Sequence, residues 1–599
     1  MVIRIAALLA AVLATSQLLG CGNSAAPPHG AEPPAAPTAT AHRRWGYIET
    51  TSGAELRWTL FTPQESGSWP ILIEYDGYSA GSGNLYSDRD FWLSQGYGIL
   101  GLSVPGSSCS TGEFLVFHPS WGKAGAEAVE WIARQPWSDG NVGMTGLSFS
   151  GYMQIWTAAF APPSLKAISP ALNTTDPYRD VAYPGGIFNS GFPALWWSGF
   201  ANTWNSFGAA AARDEDGDQR CTQTAAENSV RMNAPEYNMP AQLASHPNYD
   251  ELYVERSARL LADRIEVPVF GAEAWQDEQV GSRNGYYEDV VDPDQLWLLG
   301  MPGEHTGMLA LPIAKQMRLR FFDRYLKGVA NGWEETPRVT VLNEMTRDAD
   351  NQLQAAFVTE SAGFPVPVTP FRLHLQADGS LQPATAETGA LNYQYPVPGP
   401  AVNNPIGSNG EEWQVPVPPG GALAFTTPAL EAPLSFYGPA SADLWLSTTA
   451  LDTDIQVTIT EVRPDGQEMY VQRGWLRASH AALDDALSTE RRPWHRHDAG
   501  SQTLMTPLEP RLLRVEINKF AHTFRAGSRL RLIIDAPSRT GYWDFARIDV
   551  PATNTVHTGT ERPSALVLGL WDVADRAGTE LPTCGTLRFQ PCRADAYGG

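Results

Sequence analysis

Basic residues are scarce in this 599-residue chain: 42 Lys and Arg stand against 65 Asp and Glu, a formal net charge of −23. Nucleic-acid affinity is built largely from basic side chains that displace counterions from phosphates, so this balance excludes a nucleic-acid partner. Charged residues altogether reach only 18%, while hydrophobic residues make up 43%, with 20 Trp, 20 Tyr and 22 Phe. That composition excludes disorder or coiled coil for the bulk of the chain and reads as globular. Beyond the N-terminus no apolar run approaches the roughly 20 residues that a bilayer span needs; stretches such as 97–104 stop at strand length. Internal repeats and heptads are also lacking.

What is present begins with an export signal. The opening MVIRIAALLAAVLATSQLLGCG carries Arg4, an apolar stretch over 5–13 and then Leu18-Leu19-Gly20-Cys21. A short apolar core ending in small residues is a bacterial secretory signal, and Leu-Leu-Gly-Cys resembles the lipobox whose cysteine is acylated and becomes the mature N-terminus. Residues 1–20 are expected to be the signal peptide. Residues 21–43, rich in Ala and Pro and without aromatics, cannot bury a core and are expected to be a lipidated tether holding the protein to the membrane on its periplasmic or extracellular face. Four cysteines remain in the exported part, Cys109, Cys221, Cys584 and Cys592. An even count in an oxidising compartment allows three pairings, of which 109–221 with 584–592 is favoured.

Residues 44–172 alternate short apolar runs (70–75, 98–104, 141–145, 167–170) with a helix expected over 124–135. After an interruption, 262–370 resumes with strands at 267–272 and 295–299. A helix follows over 313–326, where Met317, Phe321, Phe322, Tyr325 and Leu326 give an apolar face. This βαβα rhythm implies a mostly parallel sheet. The intervening 173–261 lacks strand alternation and reads as an inserted helical cap. From 371 to 599, strands alternate with turn signals such as DGSL, PVPPGG and VRPDGQ, the pattern of an all-β sandwich.

The chemistry concentrates in NVGMTGLSFSG, residues 141–151, which sets a serine on the turn between an expected strand and the helix YMQIWTAAF. A nucleophile elbow needs small residues around its serine because strand and helix backbones nearly touch there; Gly146, Ser150 and Gly151 supply them. Ser148 is the candidate nucleophile. Ser150 is the runner-up and lacks a glycine two positions before it. In such an elbow the acid and then the histidine follow along the chain. His305, in the glycine-bounded loop GMPGEHTG after the 295–299 strand, is the candidate base, and His246 is expected in a surface loop. The acid should end the preceding strand, where VPVFGAEAWQDEQVG offers Asp277, with Glu273 and Glu278 as competitors.

At these residues the chain resembles the cocaine esterase and X-prolyl dipeptidyl-peptidase group of serine hydrolases, which also holds the α-amino acid ester hydrolases. The resemblance spans nearly the whole exported body: STGEF at 110–114, EWIARQPWSDGNVGM at 130–144, the elbow, AWQD at 274–277, FFDRYLKG at 321–328, and TDIQVTITEVRPDG and FRAGSRLRLII in the C-terminal part. It implies an α/β fold, an α/β-hydrolase domain with an inserted helical cap followed by an all-β jelly-roll sandwich. It carries over Ser148 as nucleophile, Asp277 as acid and His305 as base. For the oxyanion hole it points to Tyr78 in IEYDGYSAG and to the backbone N–H of Phe149; a phenol and an amide are two fixed donors for the developing charge. Tyr75 is expected inside the strand, pointing into packing. No cofactor or metal is implied. The expected partners are a small-molecule ester or short peptide substrate and, through the lipid alone, a membrane; a homodimer is left open.

Three departures bear on the site. The family's Asp-x-Arg-Gly after the fourth strand is Ser103-Val104-Pro105-Gly106 here, and the histidine loop is one residue longer and lacks its tryptophan. Acidic residues that bind a substrate ammonium in amino-ester hydrolases fall on Gln279 and Val280. Glu278, Asp176 or Asp180 would then have to serve. Trp196, Trp197 and Phe200 are candidates either to line an acyl pocket or to form the cap core. The acidic run 214–218 reads as a solvated turn rather than a calcium loop, since its glycine is misplaced for an EF-hand, and WHRHD at 494–498 reads as exposed. The competing class is a non-catalytic protein holding a carbohydrate or a partner on its jelly roll; an intact Ser, Asp and His argue against it. If Cys21 is acylated, the protein fractionates with membranes and takes up metabolic palmitate label, and Cys21→Ala loses both; an unlabelled, freely soluble wild type overturns the lipoprotein reading.

Overall fold

Runs such as GILGLS and LWLLGM are buried along their whole length, and strands of that kind are stable only where both faces of a sheet are covered. In the computed structural model they sit inside a ten-stranded sheet. The structure describes residues 41–599 except 79–87, 202–204, 278–286, 304, 306, 386–387, 398–408, 575–576, 579 and 599. The expected signal peptide, Cys21 and most of the tether lie outside the described residues, as do Glu278, Gln279 and Val280.

The strands are β1 (His42–Glu49), β2 (Glu55–Thr62), β3 (Trp69–Asp76), β4 (Gly98–Ser103), β5 (Ser138–Leu147), β6 (Leu165–Ala171), β7 (Val269–Ala274), β8 (Leu296–Met301) and β9 (Val339–Asn343), then a small ladder of β10 (Thr346–Arg347) with β11 (Leu353–Gln354), and β12 (Phe357–Ser361). Sheet order is β1-β2-β4-β3-β5-β6-β7-β8-β9-β12, parallel from β4 to β9 and antiparallel at both margins. The β1–β2 hairpin is absent from the sequence expectation. Its strands HRRWGYIE and ELRWTLFT interleave arginines with aromatics instead of forming apolar runs, because β1 is a sheet edge.

Helices α1 (Arg89–Ser94), α2 (Pro119–Ala133) and α3 (Phe149–Ala159) belong to this layer. The 173–261 segment holds α4 (Gly191–Gly199), α5 (Asn205–Asp216), α6 (Gln219–Met232), α7 (Met239–Ser245) and α8 (Glu251–Arg256), and α9 (Pro312–Leu326) follows β8. One apolar cluster joins α2 and α3 to one sheet face and continues through the cap into the C-terminal sandwich. A second, with Trp92 of α1 and Met317, Phe321 and Phe322 of α9, covers the other face. The C-terminal domain is two antiparallel sheets, of seven and five strands.

The cap is fastened at both ends. Arg57 of β2, fully buried, reaches Asp216 at 2.5 Å and Asp218 at 3.1 Å, and Tyr47 donates to Asp218 at 2.6 Å. The 214–218 run is therefore an ion-pair anchor at Asp216 and Asp218, with Asp214, Glu215 and Gly217 exposed, and not a solvated turn. The disulfide Cys109–Cys221 staples α6 beside it, with Cα atoms 4.5 Å apart; Cys584–Cys592 closes a short loop near the C-terminus.

His495 and His497 are likewise buried rather than exposed. The loop that carries them packs under the cap: the His497 ring lies 5.2 Å from that of Tyr178, Tyr249 N–H donates to His497 O at 3.0 Å, and His480 Nδ1 is 3.2 Å from His497 Nδ1. Burial, with the Arg477 guanidinium nearby, holds His480 down to about 4. Burial and Arg179 hold His495 down to about 3, and His497 also falls well below the ordinary range. In the unfolded chain these imidazoles take up protons near pH 6.5, whereas in the native state they stay neutral, so stability falls as pH drops below that value. His480 and His495 each cost about 2 kcal/mol by pH 5, and His497 acts in the same direction. Calorimetry from pH 7.5 to 5 should show a steadily falling unfolding temperature, with a shallower slope in His480→Gln; a flat profile rejects this account.

Candidate active site

Ser148 sits between β5 and α3 with φ 61° and ψ −123°, a conformation that costs a non-glycine residue on the order of 1–3 kcal/mol. The sequence permits it because the neighbours have no bulk. A Cβ on Gly146, itself at φ +129°, would lie 2.2 Å from Ser150 Oγ, and one on Gly151 would lie 2.6 Å from Ala171 O. The Ser148 N–H is anchored on Ala171 O at 2.9 Å. Ser150 is wholly buried and donates its hydroxyl to Leu147 O at 2.9 Å, a hydrogen bond that occupies it inside the turn. Ser148 instead faces a cavity.

Parallel strands place the residues that follow them on one edge of the sheet. Leu147 pairs with Ala171, Ala171 with Ala272, and Ala274 with Met301, so the turns after β5, β7 and β8 open side by side. Asp277 and His305, each 3% exposed, meet there at 2.6 Å, Oδ2 to Nδ1. The other ring nitrogen, Nε2, is buried without a hydrogen-bond partner among the described residues. Gln276 ties the two turns together, its Oε1 accepting from Gly303 N–H at 2.8 Å while its Nε2 donates to Val471 O at 2.7 Å. Gln276 stands within the AWQD stretch, but nothing in the sequence assigns it this task.

The competing residues have other engagements. Glu273 lies within β7 and pairs with Lys519 of the sandwich at 2.8 Å; Glu288 pairs with the same ammonium at 2.5 Å, and burial beside Glu273 raises its carboxyl well above the usual range. His246 is substantially exposed and pairs with Asp250. Tyr75 is fully buried, donating to Trp121 O at 3.0 Å.

Tyr78 follows β3 on the same edge, its N–H held by Asp76 Oδ1 at 2.8 Å. Together with Ser148 and Phe149 it lines a cavity of about 760 Å³, open mouth included. By position Phe149 N–H belongs to the first turn of α3, where amides have no acceptor within the helix. Of the three cap aromatics Trp196 lines the cavity; Trp197 and Phe200 pack behind it on Phe114, with ring centroids 5.9 and 4.7 Å away. The remaining wall includes Phe117, Tyr152, Phe192, Leu243 and Tyr253. These aromatics come from separate elements and carried no shared sequence signal. Among the described residues the wall holds one charge, Arg256, and no carboxylate. Asp180 is turned inward, accepting from the Thr175 and Asp176 N–H groups at 2.9 Å, and Asp176 pairs with Arg179 at 2.7 Å.

The profile of the X-Pro dipeptidyl-peptidase (S15 family) matches residues 52–307, and that of the X-Pro dipeptidyl-peptidase C-terminal non-catalytic domain matches 331–567. The chain is 26% identical to cocaine esterase from Rhodococcus sp. (strain MB1 Bresler) over 589 residues, covering 87% of this chain and 97% of that protein. A CocE/NonD family hydrolase from Staphylococcus aureus shares the fold with a TM-score of 0.72 at 21% identity, over 89% of this chain and 94% of that one. An α-amino acid ester hydrolase does so with a TM-score of 0.66 at 19% identity, over 90% and 98%. Carrying both domains in this order, with an α/β core and an antiparallel all-β domain behind it, the protein belongs to the X-Pro dipeptidyl-peptidase (S15) family of serine hydrolases.

Proposed function

We propose that this hydrolase is an exported esterase, tethered through Cys21, that cleaves carboxylic esters with an uncharged apolar or aromatic acyl group through Ser148, His305 and Asp277. His305 Nε2 takes the proton from Ser148 Oγ as Oγ attacks the carbonyl carbon; Tyr78 O–H and Phe149 N–H receive the oxyanion. The tetrahedral adduct collapses to the acyl-enzyme as His305 returns the proton to the departing alcohol, and water repeats the steps to release the acid. Asp277 orients the imidazole and balances its transient charge. Supporting this are the Asp277–His305 hydrogen bond, the Nε2 that has no hydrogen-bond partner among the described residues, and the strained turn that presents Ser148 to the cavity.

The observation that carries the substrate class is the cavity wall, mostly aromatic and aliphatic, with Arg256 as its one charge and no carboxylate among the described residues. A peptidase of free N-termini has to desolvate an ammonium, which is costly without a counter-charge. The two cap aspartates open to that role are already engaged.

Ser148→Ala abolishes fluorophosphonate labelling, and Ser150→Ala retains it; label on Ser148→Ala moves the nucleophile elsewhere. Tyr78→Phe lowers kcat by about 10²–10³. On substrate, each aminoacyl ester is to be compared with its N-acetylated form carrying the same leaving group. Acetylation leaves kcat/KM level or raises it; a loss of about tenfold or more, some 1.4 kcal/mol of recognition, identifies an aminopeptidase instead.

A further inference from the structure

Trp196 of α4 is 118 residues from Tyr78 along the chain, yet its indole N–H donates to Tyr78 Oη at 2.7 Å, with both side chains buried. A phenol oxygen that accepts a hydrogen bond from one side turns its own hydrogen away from that side. Accepting the bond also polarises the hydroxyl and strengthens it as a donor. The edge-on ring of Phe149, 5.5 Å away, further confines the Tyr78 ring.

The helix that carries Trp196 is seated on the C-terminal sandwich. Ser190 N–H and its hydroxyl both donate to Asp544 O at 2.9 Å, and Phe192 N–H donates to Tyr542 O at 3.0 Å. Between them, Gly191 lies so close that a Cβ there would stand 2.5 Å from Gly541 O and 2.7 Å from Tyr542 O. Asn189 forms a bridge with Phe545. The first turn of α4 is thus pinned by the 541–545 segment, and Trp196 stands about one and a half turns further on.

We infer that Trp196 is a positioning residue for the oxyanion donor Tyr78, and that the sandwich takes part in catalysis by fixing the helix that holds Trp196. The inference rests on the reading of Tyr78 as an oxyanion donor. It assigns a task within the reaction to the C-terminal domain: aligning a hydroxyl in the neighbouring domain through one helix and one indole N–H.

Trp196 also walls the cavity, so the test has to separate positioning from packing. Trp196→Phe and Gly191→Ala are each made in the wild-type and Tyr78→Phe backgrounds and assayed on p-nitrophenyl acetate, whose acyl group is too small to depend on the indole for binding. Both variants are expected to lower kcat about tenfold in the wild type, with KM within about twofold, and to change kcat little once Tyr78 lacks its hydroxyl. Equal losses in the two backgrounds, or an unchanged kcat for Trp196→Phe, overturn the inference. An unchanged kcat for Gly191→Ala alone overturns the part assigned to the sandwich. If Tyr78→Phe itself leaves kcat unchanged, the oxyanion reading fails and this inference fails with it, a result distinct from the others. Unfolding temperature is measured for every variant, and Gly191→Ala supplies the test if Trp196→Phe does not fold.

Discussion

Everything at this site hangs on one strained residue. Ser148 is held at positive φ by a strand and a helix that can only approach each other because Gly146 and Gly151 have no side chains and Ser150 is short. That strain is balanced by the burial of α3, every residue of which is buried, and by the hydrogen bond from Ser148 N–H to β6. The turn sets the serine at the C-terminal edge of a parallel sheet. Because β7 and β8 run parallel to β5, the Asp277 and His305 turns come out on the same edge without any further device. Strand direction, more than any individual contact, is what brings the turns that carry residues 148, 277 and 305 to one edge of the sheet.

The second constraint is the seating of the cap. Its far end is secured by buried charge: Arg57 is fully buried and takes two aspartates, so that removing the arginine would leave both carboxylates buried without it. Its near end is secured by the sandwich, through backbone hydrogen bonds at 190–192 and the neutral histidines at 480, 495 and 497. The sandwich also reaches the sheet directly, where Lys519 sits between Glu273 and Glu288. Cap, sheet and sandwich therefore share a boundary of buried polar groups, and the cavity lies against it. A change in the sandwich can reach Tyr78 by a short physical route.

The sequence by itself determined the features whose causes are local. An elbow needs small residues at fixed offsets, so Ser148 and the structural position of Ser150 could be read from eleven consecutive letters. Central strands need continuous apolar runs, so six of them were located to within a few residues, as was the helix at Pro312–Leu326. Chain order after the elbow and the family resemblance put Asp277 and His305 forward, and the structure brings their side chains to 2.6 Å. Residues whose state depends on a distant partner were misread or missed. Asp216 and Asp218 looked solvated because their cation, Arg57, lies 159 and 161 residues away. His495 and His497 looked exposed because a charged loop gives no sign that a cap will cover it. Trp196, Trp197 and Phe200 could not be told apart, since whether an aromatic walls a cavity or packs behind it is decided by how the helix is turned toward Phe114 and Phe149. Only the tertiary structure settled those points, because burial, charge pairing and cavity shape come from segments that meet in space and leave no mark in the order of residues.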